Sequence, residues 1–126
     1  MGFMNTGFLS MTHRRRFCEI WNRFPCKSPK FISAIFLLTS SEDIWLRSKD
    51  CITANGKLDI SRFSIRGIST TSYTLYMAAR DLYFETDMVS IFALTDKSAV
   101  PEAVIDLIHT AIMIRRNCLK TVRKLI

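Results

Sequence analysis

The sequence of 126 residues has few chain-breaking residues and no long apolar run. It contains four glycines and three prolines, whereas a disordered chain would be richer in proline, serine and glycine and poorer in apolar residues. Its longest apolar stretches, FISAIFLL and AVIDLIHTAIMI, have eight and twelve residues, whereas a membrane-spanning helix needs about 20. Arginines follow the weakly apolar amino terminus, the reverse of a secretory signal. We therefore expect a globular protein that has no membrane partner.

The four cysteines form no recognisable metal or disulfide motif. Cys18, Cys26, Cys51 and Cys118 include no pair at the two-residue spacing of zinc knuckles or thioredoxin-like sites. Disulfide frameworks are typical of small secreted domains with poor cores, and this chain is 48% hydrophobic. The sequence therefore predicts four reduced thiols in a cytoplasmic protein.

Motifs for catalysis are also missing. The chain has no glycine-rich phosphate loop, no nucleophile elbow and no paired metal spacing. Asp81, Glu85 and Asp87 are close enough in sequence to hold a divalent ion, but their pattern is typical of a solvated helix end. His109 lies at the edge of an apolar stripe. We therefore expect no enzyme activity and no cofactor or metal.

What the sequence does contain is helical periodicity. Phe17, Ile20, Trp21 and Phe24 recur at the spacing of one helix face, and the next residue is a proline, which ends a helix. Ser28-Pro29 then predicts the start of a buried helix, KFISAIFLLTS.

Further helices are expected in SSEDIWLRSKDCI, STTSYTLYMAARDLYFETD and DMVSIFALTDK, and in a long final segment from Pro101. Asn55-Gly56 predicts a turn, and residues 57–66 fit either a short helix or an extended connection. The predicted fold class is all-α, a single compact bundle of five to seven helices with a basic C-terminal helix. Residues 1–10 are expected to be a flexible lead-in, and residues 11–126 a single helical domain.

The net charge of +7 is concentrated at the two ends. Residues 1–30 carry +5, residues 31–67 carry +1, residues 68–110 carry −4 and residues 111–126 carry +5. Basic segments attract both phosphate backbones and acidic protein surfaces.

Arginines at the start of the first predicted helix are candidates for such a contact. Arg14, Arg15 and Arg16 fan across its polar side, while Arg23 aligns with Arg16. Three cations in a first turn oppose the helix dipole, so they do not stabilise the helix locally. They are interpreted either as a solvated helix start or as a contact for an anionic partner.

A second candidate face lies in SYTLYMAARDLY. Tyr73, Tyr76, Arg80 and Tyr83 are spaced three, four and three residues apart and share one helix face. Such a row is typical either of core packing with hydroxyls at the rim or of a binding surface.

Arg115 interrupts the apolar stripe of the final helix. A buried guanidinium without a partner is not tolerated, so either the helix leaves the core near Ile114 or Arg115 pairs with a carboxylate. We favour the first alternative, in which residues 115–126 project as a basic extension. Its candidate binding residues are Arg115, Arg116, Lys120, Arg123 and Lys124.

Three stretches, FISAIFLLTSSEDIW, GISTTSYTLYMAARDLYFET and LIHTAIMIRR, resemble an uncharacterised family of small proteins from Gram-positive gut bacteria and their phages or mobile elements. The resemblance runs from Phe31 to Arg116, about two thirds of the chain. That family has no established activity, so the resemblance implies a bacterial or phage origin and an accessory role, and it assigns no functional residue.

Together these features predict a small helical interaction protein. We expect it to bind and modulate a host protein or nucleoprotein, as an anti-CRISPR-like inhibitor does. The alternative is a nucleic-acid-binding protein that uses the basic N- and C-terminal segments, for which binding weakens steeply as salt rises.

Overall fold

Helices arranged around one buried central helix make up the protein. The computed structural model describes residues 7–25, 27–86 and 101–126. Its α-helices in these ranges are α1 (Met11–Arg23), α2 (Pro29–Leu38), α3 (Glu42–Ser48), α4 (Thr70–Phe84), α5 (Glu102–Arg116) and α6 (Cys118–Leu125). Two short 3-10 helices, Lys49–Cys51 and Ile60–Arg62, lie between α3 and α4. The prediction of an all-α bundle of five to seven helices is confirmed.

The central helix is α2. Ser28 occupies its N-cap and Pro29 its first position, as the sequence predicts, because proline has no N–H to leave unsatisfied there. Residues 31–40 are all buried, and the helix packs mainly on α4 and α5. Within the described ranges, no helix has both the length and the apolar character that are required to cross a membrane.

The first helix packs on α2 through its predicted apolar face. The Ser10 hydroxyl caps α1 by accepting the His13 N–H at 3.0 Å. Phe17, Ile20 and Phe24 are buried, and the helix ends just before the proline at position 25. At this end the Lys27 ammonium donates to the backbone carbonyl of Phe24 at 2.6 Å, which satisfies a carbonyl that the helix leaves free.

Phe8 precedes α1 and belongs to the core. Its ring lies 5.0 Å from that of His13, 5.7 Å from that of Phe17 and 5.6 Å from that of Phe36. Residues 1–6 of the expected lead-in lie outside the described ranges, and Phe8, within that lead-in, contacts three rings of the bundle.

A tight turn lies in the connection between α3 and α4. The Thr53 N–H donates to the Lys57 carbonyl at 2.9 Å, and Gly56 adopts φ +78°, so the predicted Asn55-Gly56 turn is confirmed. Ile52 and Leu58 form an antiparallel bridge. Residues 57–66, which the sequence left open, combine this bridge with the 3-10 helix at residues 60–62.

The final segment is two helices and not one. Asn117 leaves the helical conformation, with φ −139° and ψ 70°, and α6 turns back to pack on α5 and α2. Cys118 and Val122 are four residues apart and form an apolar face of α6. Both are buried where this face packs on the core. The expectation that residues 115–126 project as an extension is therefore wrong. The helix predicted in DMVSIFALTDK lies outside the described residues.

Candidate functional site

The two basic ends of the chain meet in the fold. The Arg14 guanidinium Nη2 lies 3.5 Å from the backbone carbonyl oxygen of Ile126, which joins the first turn of α1 to the end of α6. We call the cations of α1 and α6 that lie within two turns of this contact, apart from Arg16 on the opposite side of α1, the basic surface. Its members are Arg14, Arg15, Lys120, Arg123 and Lys124.

No ion pair among the described residues neutralises the basic surface. Ion pairs among the described residues are Arg47–Asp43, Arg62–Asp59 and Arg115–Glu85, and none of them involves the basic surface. Glu19 is the one acidic residue of α1, and α6 has none. The positive charges therefore create a field that extends into the solvent and attracts anions.

Apolar side chains lie among these cations. Met11 is 76% exposed at the start of α1, while Leu119 of α6 and the following Ile126 are 50% and 44% exposed. Methionine and arginine are enriched at protein interfaces. The exposed aromatic rings of the described chain, Tyr73 and Phe84, lie on α4 and not among these cations.

Arg16, Arg23 and Arg116 are not part of the basic surface as defined. Successive helical residues are about 100° apart, which places Arg16 on the opposite side of α1 from Arg14. Arg23 shares that side and lies 5.9 Å from the ring centre of Phe24. Arg116 is exposed at the end of α5.

The candidate tyrosine face is split by the fold. Tyr76 is buried and stacks on Phe63, with ring centres 3.9 Å apart. Tyr83 is also buried, and its hydroxyl accepts the backbone N–H of Leu58 at 3.2 Å. Burial raises the pKa of Tyr76. Tyr76 and Tyr83 therefore pack in the core, which is the first of the two interpretations of this face. Tyr73 is exposed and Arg80 is half-buried.

Arg115 pairs with a carboxylate, which is the second of the two alternatives that the sequence left open. Its guanidinium pairs with Glu85, and its Nε donates to the Leu82 carbonyl at 3.3 Å. Glu85 is the C-cap of α4 and adopts φ 59°. The expectation that the helix leaves the core to free Arg115 is wrong, because this pair holds the side chain at the edge of α4.

His13 is a buried residue that the sequence interpretation missed. Its Nε2 lies 2.7 Å from the Phe36 carbonyl oxygen, and its Nδ1 accepts the Leu9 N–H at 2.9 Å. Burial lowers the pKa of His13 to about 4, and the nearby charge of Arg16 acts in the same direction. The signal was present in the sequence, because His13 precedes Phe17 and Ile20 by four and seven residues on the same helix face.

No cluster of three or more potential metal-ligating side chains occurs in the part of the chain that the structure describes. Asp81 accepts a hydrogen bond from the Thr86 hydroxyl at 2.6 Å, Asp87 lies outside the described residues, and His109 is exposed on α5. Burial raises the pKa of Cys51 to about 11 and also raises that of Cys118, which disfavours the reactive thiolates.

The fold and its surface define a small all-α protein with a basic face at the meeting point of its first and last helices. The sequence matches no protein-family model, no curated protein and no solved structure.

Proposed function

We propose that the protein binds and modulates a host protein or nucleoprotein through the basic surface. The concrete form is an inhibitor of the anti-CRISPR kind, encoded by a phage or a mobile element. The observation that carries the proposal is the contact between Arg14 and the backbone oxygen of Ile126, because it brings the two basic segments of the chain next to each other.

Electrostatics supports an acidic partner. Cations in excess over carboxylates raise the rate of encounter with a negatively charged surface and disfavour basic partners. The exposed side chains of Met11 and Leu119 add apolar surface that a bound partner would bury. The protein would therefore act by occupying a site on its partner and not by catalysis.

We also propose a cytoplasmic location. Cys18, Cys51 and Cys118 are free thiols, and free thiols are typical of proteins in reducing compartments.

A charge-reversal experiment tests the proposed function. Wild-type protein and an Arg14→Glu/Arg15→Glu variant are used to capture proteins from a bacterial lysate, and the captured protein is then purified for direct titration. We expect a stoichiometric partner for the wild type and an affinity at least about tenfold lower for the variant, a change of about 1.4 kcal/mol. Lys49→Glu/Lys57→Glu, which reverses two exposed cations elsewhere, is the matched control.

Two results would overturn this proposal. One is the absence of any stoichiometric protein partner. The other is equal affinity of the wild type and the Arg14→Glu/Arg15→Glu variant for the captured protein.

Nucleic-acid binding is the second candidate function, and the observation that favours it is the set of lysines on α6. Lys120 and Lys124 are exposed and four residues apart, and lysine is a common ligand of phosphate. A gel-shift titration at about 50 mM and about 200 mM salt tests this candidate, since phosphate contacts weaken steeply over that range. Absence of a complex at the lower salt concentration would exclude it.

A further inference from the structure

The break at Asn117 creates a groove. Because α6 turns back beside α5, a groove that is open to solvent lies between the two helices. Its volume is about 290 Å³. Its lining residues come from both helices and from the break itself. They are Thr110, Met113, Asn117, Lys120, Thr121 and Lys124, and none of them is acidic.

Hydrogen bonding within the groove leaves nitrogen donors for a ligand. The Thr110 hydroxyl donates to the Asp106 carbonyl at 3.1 Å, and the Thr121 hydroxyl donates to the Met113 carbonyl at 3.2 Å. Their protons are therefore engaged. In the described part of the chain, the ammonium groups of the two lysines form no ion pair, so they face the groove as uncompensated charges.

The geometry of the two lysines suits phosphate. Residues four apart on a helix have Cβ atoms about 5–6 Å from each other, so the ammonium groups of Lys120 and Lys124 can converge on one phosphate group. An ammonium acts as a point charge and tolerates a tetrahedral anion, whereas arginine forks favour flat, bidentate carboxylates. The groove contains two lysines and no arginine.

We infer that the groove between α5 and α6 binds a backbone phosphate of a nucleic acid. This inference rests on the second candidate function and names the residues that would carry it, Lys120 and Lys124, with the Asn117 amide as a further donor. No aromatic side chain lines the groove, so it offers no stacking to bases. The contact is therefore independent of base sequence.

The experiment measures the salt dependence of binding to two labelled DNA duplexes of unrelated sequence, by fluorescence anisotropy. We expect the wild type to bind both duplexes alike. The Lys120→Gln/Lys124→Gln variant should bind at least about tenfold more weakly at about 50 mM salt, and its slope of log affinity against log salt should be shallower by about 0.9, which corresponds to the loss of one phosphate contact.

Two controls separate charge from folding. Lys49→Gln/Lys57→Gln removes two exposed lysines outside the groove and should leave the slope unchanged. Lys120→Arg/Lys124→Arg keeps both charges and should retain most of the affinity. Circular dichroism confirms that each variant keeps its helices.

Each contrary outcome has a distinct meaning. If the wild type binds duplex but the groove variant keeps its slope, nucleic-acid binding stands and the groove inference is overturned. If the wild type binds neither duplex at about 50 mM salt, both are overturned, while capture of a protein partner through Arg14 and Arg15 is unaffected. If the variant loses binding to polyglutamate but not to DNA, the groove binds carboxylates and the inference is also overturned.

Discussion

The imidazole of His13 ties α1 to the backbone of α2, since its Nε2 lies 2.7 Å from the Phe36 carbonyl oxygen. A carbonyl only accepts, so Nε2 carries the proton and donates it. On the other side of the ring, Nδ1 accepts the backbone N–H of Leu9 at 2.9 Å. Both ring nitrogens are therefore used by the neutral form, and a proton added to Nδ1 would displace the Leu9 hydrogen bond.

The first prediction is a loss of stability in acid that depends on His13. Its pKa is lowered from 6.5 to about 4 in the folded protein, so between these values the unfolded chain binds more protons. The free energy of unfolding contributed by His13 is fully present above pH 6.5 and falls as the pH drops toward 4. The loss reaches about 3 kcal/mol.

Urea denaturation of the wild type and of His13→Gln across pH 4 to 7 measures this contribution. Glutamine keeps a side-chain donor and acceptor but does not titrate. The difference in unfolding free energy between the two proteins should shrink as the pH falls. A difference that stays constant across the range would contradict a buried, neutral histidine.

The second prediction concerns the hydroxyl of Tyr83. Tyr83→Phe removes the acceptor of the Leu58 N–H and leaves a buried donor without its partner, so unfolding should become easier by about 1–3 kcal/mol. Tyr73→Phe is the matched control, because Tyr73 is 42% exposed. Chemical denaturation measures both variants, and equal stabilities would show that the hydrogen bond from Leu58 contributes nothing.

The third prediction compares two glycines with positive φ. Gly67 has φ +68° and open space where a Cβ would lie, so Gly67→Ala should cost about 1 kcal/mol from backbone strain alone. Gly56 has φ +78°, and a Cβ there would lie 3.2 Å from Cδ1 of Phe24. Gly56→Ala should therefore cost at least about 1 kcal/mol more. Thermal unfolding ranks the variants, and the reverse order would refute the packing of Phe24 on this turn.

The fourth prediction distinguishes neighbouring arginines. Arg115→Ala removes the pair with Glu85 and the hydrogen bond to the Leu82 carbonyl, which should lower the unfolding free energy by about 1–2 kcal/mol. The expected loss is modest because Glu85 is largely exposed, so solvent screens the pair. Arg116→Ala should change stability by less than about 0.5 kcal/mol. Denaturation curves measure both variants, and equal losses for Arg115→Ala and Arg116→Ala would show that Arg115 does not bridge α4 and α5.

The helices that the sequence predicted correctly are those whose signals are local. Phe17, Ile20 and Phe24 form a stripe at helical spacing, and Ser28-Pro29 marks the start of α2. Periodicity and capping depend on residues within a few positions of each other, so these elements could be found without knowledge of tertiary contacts.

The features that the sequence did not predict depend on distant partners. Asn117 breaks the last helix without a neighbouring glycine or proline, because burial of Cys118 and Val122 favours a fold back onto the core. Arg115 finds its carboxylate at Glu85, thirty residues away. The groove that contains Lys120 and Lys124 exists only because of that break, so its two lysines could be identified as candidates but not as parts of one site.

Burial of α2 on all sides has a consequence for synthesis in the cell. Residues 31–40 leave the ribosome before α4 and α5, the helices that cover them. During that interval FISAIFLL is a bare apolar segment without a charge, of the composition that favours association between chains. The same helix that organises the finished core is therefore the segment for which chaperone protection matters most while the chain is incomplete.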